Sequence, residues 1–201
     1  CLSSLKIEKY DEWKDDENMI GDVMRFLDNV LSDFIQKAPD QFKDAKYSAE
    51  RERSVGLGVM GFHSFLQKKR IPMESVMAKS WNKKIFKNIH EKVNEASKIL
   101  AKERGSCPDA AEYGYEERFS NKTAIAPTAS ISIICGGASP GIEPIAANSY
   151  THKTLSGSFN VRNKYLKKVL QKYKKDTDEI WSTITTNQGS VSHLDFLTAD
   201  E

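Results

Sequence analysis

The residues best suited to chemistry in this chain gather in one stretch, residues 124–144, which reads AIAPTASISIICGGASPGIEP. A short apolar run meets Pro127, then the hydroxyl-bearing Thr128 and Ser130, and then a segment able to start a helix. The first N–H groups of a helix lack intrahelical acceptors, and the helix dipole adds partial positive charge there. Such a turn can hold a phosphate through amides and short hydroxyls without a lysine. The same hydroxyls could instead act as plain caps, accepting from the N–H groups of the first turn. The stretch has neither the GK[ST] ending of a P-loop nor a GxGxxG pattern. Residue types and spacing leave both readings open, an anion-binding turn and an ordinary helix start.

Thiols are the other candidates. Cys1, Cys107 and Cys135 lie far apart, with no CxxC pair and no histidine spaced to complete a zinc site. The histidines, His63, His90, His152 and His193, form no HxH or HExxH pattern, so no metal centre is expected. Thiol oxidation can supply reducing equivalents, yet an isolated cysteine is ordinarily a small buried hydrophobe, and composition alone gives none of the three a role. Glu143, in GIEP, reads as a brace for its loop rather than a catalytic carboxylate.

The elements that must position these residues follow from periodicity. Residues 1–7 alternate as a short strand with Leu2, Leu5 and Ile7 apolar, and residues 8–18 read as a polar connection. From Met19 the apolar residues Met19, Val23, Leu27, Val30, Leu31 and Phe34 keep the spacing of a helix face, limited by Pro39. Residues 53–62, RSVGLGVMGF, alternate Val55, Leu57 and Val59 with Gly56 and Gly58, which predicts a strand with one bare face and close packing against it. A helix through Phe65 follows, then a longer one over about residues 74–104 stopped by Gly105. Residues 105–121 read as a loop, 123–126 as a short strand ended by Pro127, and 128–135 as a helix closed by Gly136 and Gly137. Residues 150–159 look extended or looped, while 162–173 and 176–186 look helical. Strands alternating with helices point to an α/β fold.

At 201 residues one domain over residues 1–201 is expected. Thirty basic residues against 28 acidic ones give a net charge of +2, which offers no one-signed field for nucleic acid or an anionic membrane. No apolar run approaches the ~20 residues of a membrane span and no secretory leader opens the chain, so the cytoplasm is the expected compartment. Starting on Cys1 within an apolar stretch, the chain reads as cut from something longer. A split gene, a truncation, or the downstream flank of an intein, whose splicing uses a nucleophile such as cysteine at that place, would each produce this start.

APTASISIICGGASPGIEP followed by NSYTHKTLSGSFNVRNKYL resembles the large subunit of class I ribonucleotide reductases. RERSVGLGVMGFHSFL is similar to that family's Gly-rich strand and following helix, MRFLDNVL to the helix before it, and CLSSLKI to the strand bearing a redox cysteine. Together these stretches cover the chain to about Phe196.

The resemblance implies a fragment of a ten-stranded α/β barrel of the ribonucleotide reductase type. It makes Pro127, Thr128, Ala129, Ser130 and Ile131 the loop holding the substrate diphosphate, and Cys1 one of two cysteines that reduce a ribonucleoside diphosphate and become a disulfide. Cys107 and Cys135 match no catalytic position of the family. The implied partners are the remainder of the large subunit, a small radical-generating subunit that contains the metal, and thioredoxin or glutaredoxin as external dithiol reductant. No cofactor is expected to bind this chain directly. The family's thiyl-radical cysteine in its NxCxE pattern, its radical-relaying tyrosine pair and its effector sites are not in this sequence, so the fragment alone is not expected to turn over. The rival expectations are an adenosylcobalamin-dependent reductase and a non-catalytic phosphate-binding half of a split subunit.

Overall fold

Leu5 alternates with Ser4 and Lys6, the period that buries one face of a strand, while Val59 lies in a run buried on both sides, and both residues enter the main core. They sit on β1 (Leu2–Lys6) and β2 (Gly56–Met60), which pair in parallel from Leu2 opposite Gly56 to Lys6 opposite Met60. The computed structural model describes residues 1–154 and 157–198. A parallel pair needs a long crossover, and here it consists of α1 (Tyr10–Trp13), α2 (Met19–Lys37) and α3 (Lys43–Glu52). The expected polar connection after β1 is therefore partly helical. Tyr10 and Trp13 are core residues in edge-to-face contact, with ring centroids 5.0 Å apart.

α2 begins and ends where its apolar spacing and Pro39 predict, but it is rolled relative to the expected face. Ile20, Met24, Leu27 and Leu31 are buried, whereas Val30 and Phe34 face outward beside an exposed Phe26. The reason is Asp28: fully buried, it accepts from Arg53, Arg104 and Arg118 and turns its side of the helix inward.

β2 is buried along its whole length, and its glycines are spaces for a neighbouring backbone. A Cβ on Gly58 would strike the carbonyl oxygen of Ala124, and one on Gly56 would lie 2.8 Å from the Ala124 Cβ. The 123–126 segment meets β2 through a single parallel bridge, Leu57 to Thr123, rather than as a full strand. α4 (Phe62–Lys69) follows β2, and α5 (Val76–Arg104) opens with the Ser75 hydroxyl accepting from the Ala78 N–H at 3.1 Å. The expected loop after Gly105 contains α6 (Pro108–Glu112), with Pro108 in the first turn, where its missing N–H costs nothing. α7 (Ala129–Ile134) forms as predicted.

β3 (Ser149–Thr154) and β4 (Gly157–Arg162) make an antiparallel hairpin where extended chain was expected; Leu155 and Ser156, in that range, lie outside the described residues. α8 (Lys164–Lys172) and α9 (Asp178–Thr186) then enclose a second, smaller core of Leu166, Leu170, Trp181, Ile184 and Leu194. Among the described residues, no helix is long and apolar enough to cross a membrane.

Candidate functional site

The turn before α7 settles what its hydroxyls do. Thr128 has φ 54° and ψ 28°, a left-handed conformation that crowds a β-branched side chain. It is only 8% exposed, and its Oγ1 accepts from the Gly141 N–H at 2.8 Å. Neither Thr128 nor Ser130 caps the helix, so the plain-cap reading does not describe this geometry. Among the described residues the N–H groups of Ala129, Ser130 and Ile131 find no acceptor. Pro127, Ala129, Ser130 and Ile131 are exposed. A cleft of about 160 Å³ opens there, lined by Ala126, Thr128, Ala129, Ser130 and Ile131 on one side and Leu2, Ser3 and Ser4 of β1 on the other.

Cys1 adjoins that cleft through the chain without lining it. It is exposed, and its carbonyl accepts from the Gly56 N–H at 2.8 Å, which carries the strand pairing up to the first residue. Cys107 is buried and Cys135 half-buried, in keeping with structural roles. Glu143 is exposed, and its carboxylate joins no hydrogen bond among the described residues, so the expected brace is absent. Also among these residues, no group of His, Cys, Asp and Glu could hold a metal ion. Larger clefts of about 400 and 630 Å³ lie between α4 and α8 and alongside β2, and neither includes a residue of the 127–131 turn.

The far end of α7 is held by charges that sequence reading missed. Lys6 donates to the Cys135 carbonyl at 2.6 Å and Lys164 to the Gly136 carbonyl at 3.0 Å, cations placed where a helix presents its unpaired acceptors. Both ammonium groups also flank the Glu8 carboxylate, Lys164 at 2.5 Å from Oε1 and Lys6 at 3.0 Å from Oε2, and the Tyr165 hydroxyl donates to Oε1. Lys6 also donates to the Cys135 carbonyl, and its contact with Oε2 is an ion pair without an aligned hydrogen bond. Burial by itself would raise the Glu8 pKa; Lys164, Tyr165 and Lys6 outweigh it and hold the group at about 2. Burial and the neighbouring carboxylate push the Tyr165 phenol up, keeping it a neutral donor. Lys6 and Glu8 are two apart in sequence, but Lys164 and Tyr165 lie more than 150 positions away, and no local pattern links them.

Parallel strands joined by a helical crossover, with a phosphate-sized cleft between the first strand and a later turn, define a sector of an α/β barrel. A model of the family described as "Ribonucleotide reductase, barrel domain" matches residues 1–117 and 108–201. The chain belongs to the ribonucleotide reductase barrel family. It is 48% identical over 196 residues to the ribonucleoside-diphosphate reductase large subunit of Invertebrate iridescent virus 6, covering 96% of this chain and 20% of that protein. The solved class Id ribonucleotide reductase alpha subunit of Actinobacillus ureae superposes with a TM-score of 0.90 at 41% identity, over 100% of this chain and 36% of that one. A vitamin B12-dependent ribonucleoside-diphosphate reductase from Thermoplasma acidophilum is 36% identical over 167 residues, 78% of this chain and 21% of that protein. The chain thus spans between a fifth and about a third of the length of these relatives.

Proposed function

We propose that this chain is the part of a ribonucleoside-diphosphate reductase large subunit that anchors the substrate diphosphate and carries one of its two reducing thiols. The observation that supports this most directly is the shared cleft: the unpaired amides of Ala129, Ser130 and Ile131 face Leu2–Ser4, the strand that begins at Cys1. A diphosphate held by these amides, with the short hydroxyl of Ser130 beside them, needs no lysine at the turn. Binding energy at this remote group fixes the ribose for chemistry at its 2′ carbon.

The dithiol step balances simply. The C2′–OH bond breaks and the oxygen leaves as water. Cys1 and a cysteine in the remainder of the subunit together give two electrons and two protons, and a disulfide forms. Thioredoxin or glutaredoxin then reduces that disulfide. A thiyl radical elsewhere in the large subunit, generated through a metal-containing small subunit, starts the reaction by taking the 3′ hydrogen. The cytoplasm supplies the reducing setting this cycle requires.

The test is turnover by the large subunit with its small subunit and a dithiol reductant, comparing Cys1→Ser with the unmodified protein. We expect turnover to fall by about 10³-fold or more, the scale of losing a covalently acting group. Undiminished turnover would defeat the role given to Cys1. The Thermoplasma relative keeps a second reading in view, reduction supported by adenosylcobalamin. Activity that needs adenosylcobalamin and no second subunit would decide for it.

A further inference from the structure

The start of α4 is capped from a distance. Gly61, its N-cap, has no side chain to offer, yet three of the orphan N–H groups at this helix start, those of Gly61, Phe62 and Ser64, are engaged by a segment some 75 residues later. Gly61 N–H donates to the Ser139 carbonyl at 2.8 Å, Phe62 N–H to the Gly141 carbonyl at 3.5 Å, and Ser64 N–H to the Ser139 hydroxyl at 3.1 Å. Ser139 N–H returns the contact, donating to the Ser64 hydroxyl at 2.8 Å. Both serines are buried, Ser139 completely. α4 is itself anchored in the main core by Phe65 and Leu66, so the 139–141 segment is fastened to a rigid element.

That segment in turn grips the turn before α7. The Gly141 N–H reaches Thr128 Oγ1 from a left-handed position, φ 46°, where a Cβ would lie 3.2 Å from the Ala126 carbonyl oxygen. Thr128 pays a strain of about 1–2 kcal/mol for its own left-handed backbone, and such a conformation persists only where its surroundings fix it. Losing the fixed Gly141 donor frees Thr128 to relax, and the following amides turn with it.

We propose that Ser64 is a positioning residue for the phosphate-binding turn: with Ser139 it forms a latch that holds Gly141 against Thr128 and so aims the amides of Ala129, Ser130 and Ile131 into the cleft. This rests on the reading of the turn as a diphosphate site. Ser64 touches neither the turn nor its ligand, and acts through two intermediate contacts.

The experiment uses the assembled reductase, large subunit with small subunit, and measures KM, kcat and the inhibition constants of inorganic pyrophosphate and of the unphosphorylated ribonucleoside. For Ser64→Ala and Ser139→Ala we expect KM for the ribonucleoside diphosphate and the inhibition constant of pyrophosphate to rise together, roughly tenfold, the scale of misaligning one or two charge-assisted hydrogen bonds. Inhibition by the ribonucleoside should stay within about twofold, a split that general loosening of the barrel would not produce. The double variant should do no more than either single one, because the two hydroxyls act as a unit. An unchanged pyrophosphate constant in either variant, equal weakening of pyrophosphate and ribonucleoside, or additive effects would each overturn the latch. If pyrophosphate fails to compete with substrate in the unmodified enzyme, it is the diphosphate reading that falls. Should Ser64→Ala not fold, Thr128→Val removes the acceptor at the other end of the same path. It should reproduce the tenfold rise while Thr128→Ser recovers most of it, and a Thr128→Val enzyme that binds pyrophosphate normally sinks the proposal.

Discussion

Asp28 carries three guanidinium groups on one buried carboxylate: Arg53 Nη2 at 2.7 Å and Arg118 Nε at 2.9 Å from Oδ1, and Arg104 Nη1 at 2.7 Å from Oδ2. Burial alone would raise its pKa, but the arginines outweigh burial and keep it below the ordinary carboxylate range. Arg118 also donates to the Arg104 and Gly105 carbonyls, tying the end of α5 to the loop beyond it. Replacing Asp28 by Asn leaves Arg53 and Arg118 buried without a counter-charge, and an unpaired buried charge costs about 3–5 kcal/mol. Urea unfolding of Asp28→Asn should show an unfolding free energy lowered by that amount, with a correspondingly lower midpoint, and a midpoint within error of the unmodified protein would contradict this. Arg104 is about one-third exposed, so Arg104→Ala should cost much less, about 1 kcal/mol. None of this was legible in the sequence. A lone Asp between Leu27 and Asn29 looks like an ordinary polar residue, and its three partners lie 25, 76 and 90 positions away.

At the scale of elements, the long ones were readable because their signals are local. The apolar spacing and Pro39 bounded α2, Gly105 closed α5, and the alternation of Gly56 and Gly58 announced a backbone lying against β2. α1 and α6, at four and five residues, are too short for periodicity to register, and packing decides them. The apolar spacing of α2 fitted two faces at once, and the buried charge at Asp28 chose between them. Two glycines make the difference in context measurable. Gly58→Ala would push a methyl group into the Ala124 carbonyl, which cannot retreat without loosening the Leu57–Thr123 bridge, and we expect a loss of about 1–3 kcal/mol. Gly21 sits near the start of α2 with nothing within 4 Å of an added Cβ, so Gly21→Ala should stabilise by about 0.5–1 kcal/mol. Thermal unfolding of the two variants should move in opposite directions, and a shared direction would show that the packing around β2 is misread.

Over the whole molecule, Glu8 joins what the sequence keeps furthest apart. It follows β1 directly, and through Lys164 and Tyr165 it holds α8, which belongs to the second core, while the same lysines hold the end of α7. The nearness of the cleft to the Cys1 strand was foreseen only through resemblance to a family, since no spacing rule brings residue 130 beside residue 3. The Glu8 clamp was not foreseen at all. Its charge gives the assembly a pH signature. The carboxyl titrates near 4.5 unfolded and at about 2 folded, so the native state binds fewer protons in between. Stability from Glu8 is fully present above pH 4.5 and drains away as pH falls from 4.5 towards 2, a loss on the order of 3 kcal/mol. Asp28, whose pKa is also lowered, adds to the same acid limb. Denaturant midpoints followed from pH 7 to pH 2.5 should therefore fall steeply below 4.5. In Glu8→Gln the protein should be weaker at pH 7 and its acid limb shallower, with the part due to Asp28 remaining. If the two curves ran parallel, the ion pairs at Glu8 would be contributing nothing to holding β1, α7 and α8 together.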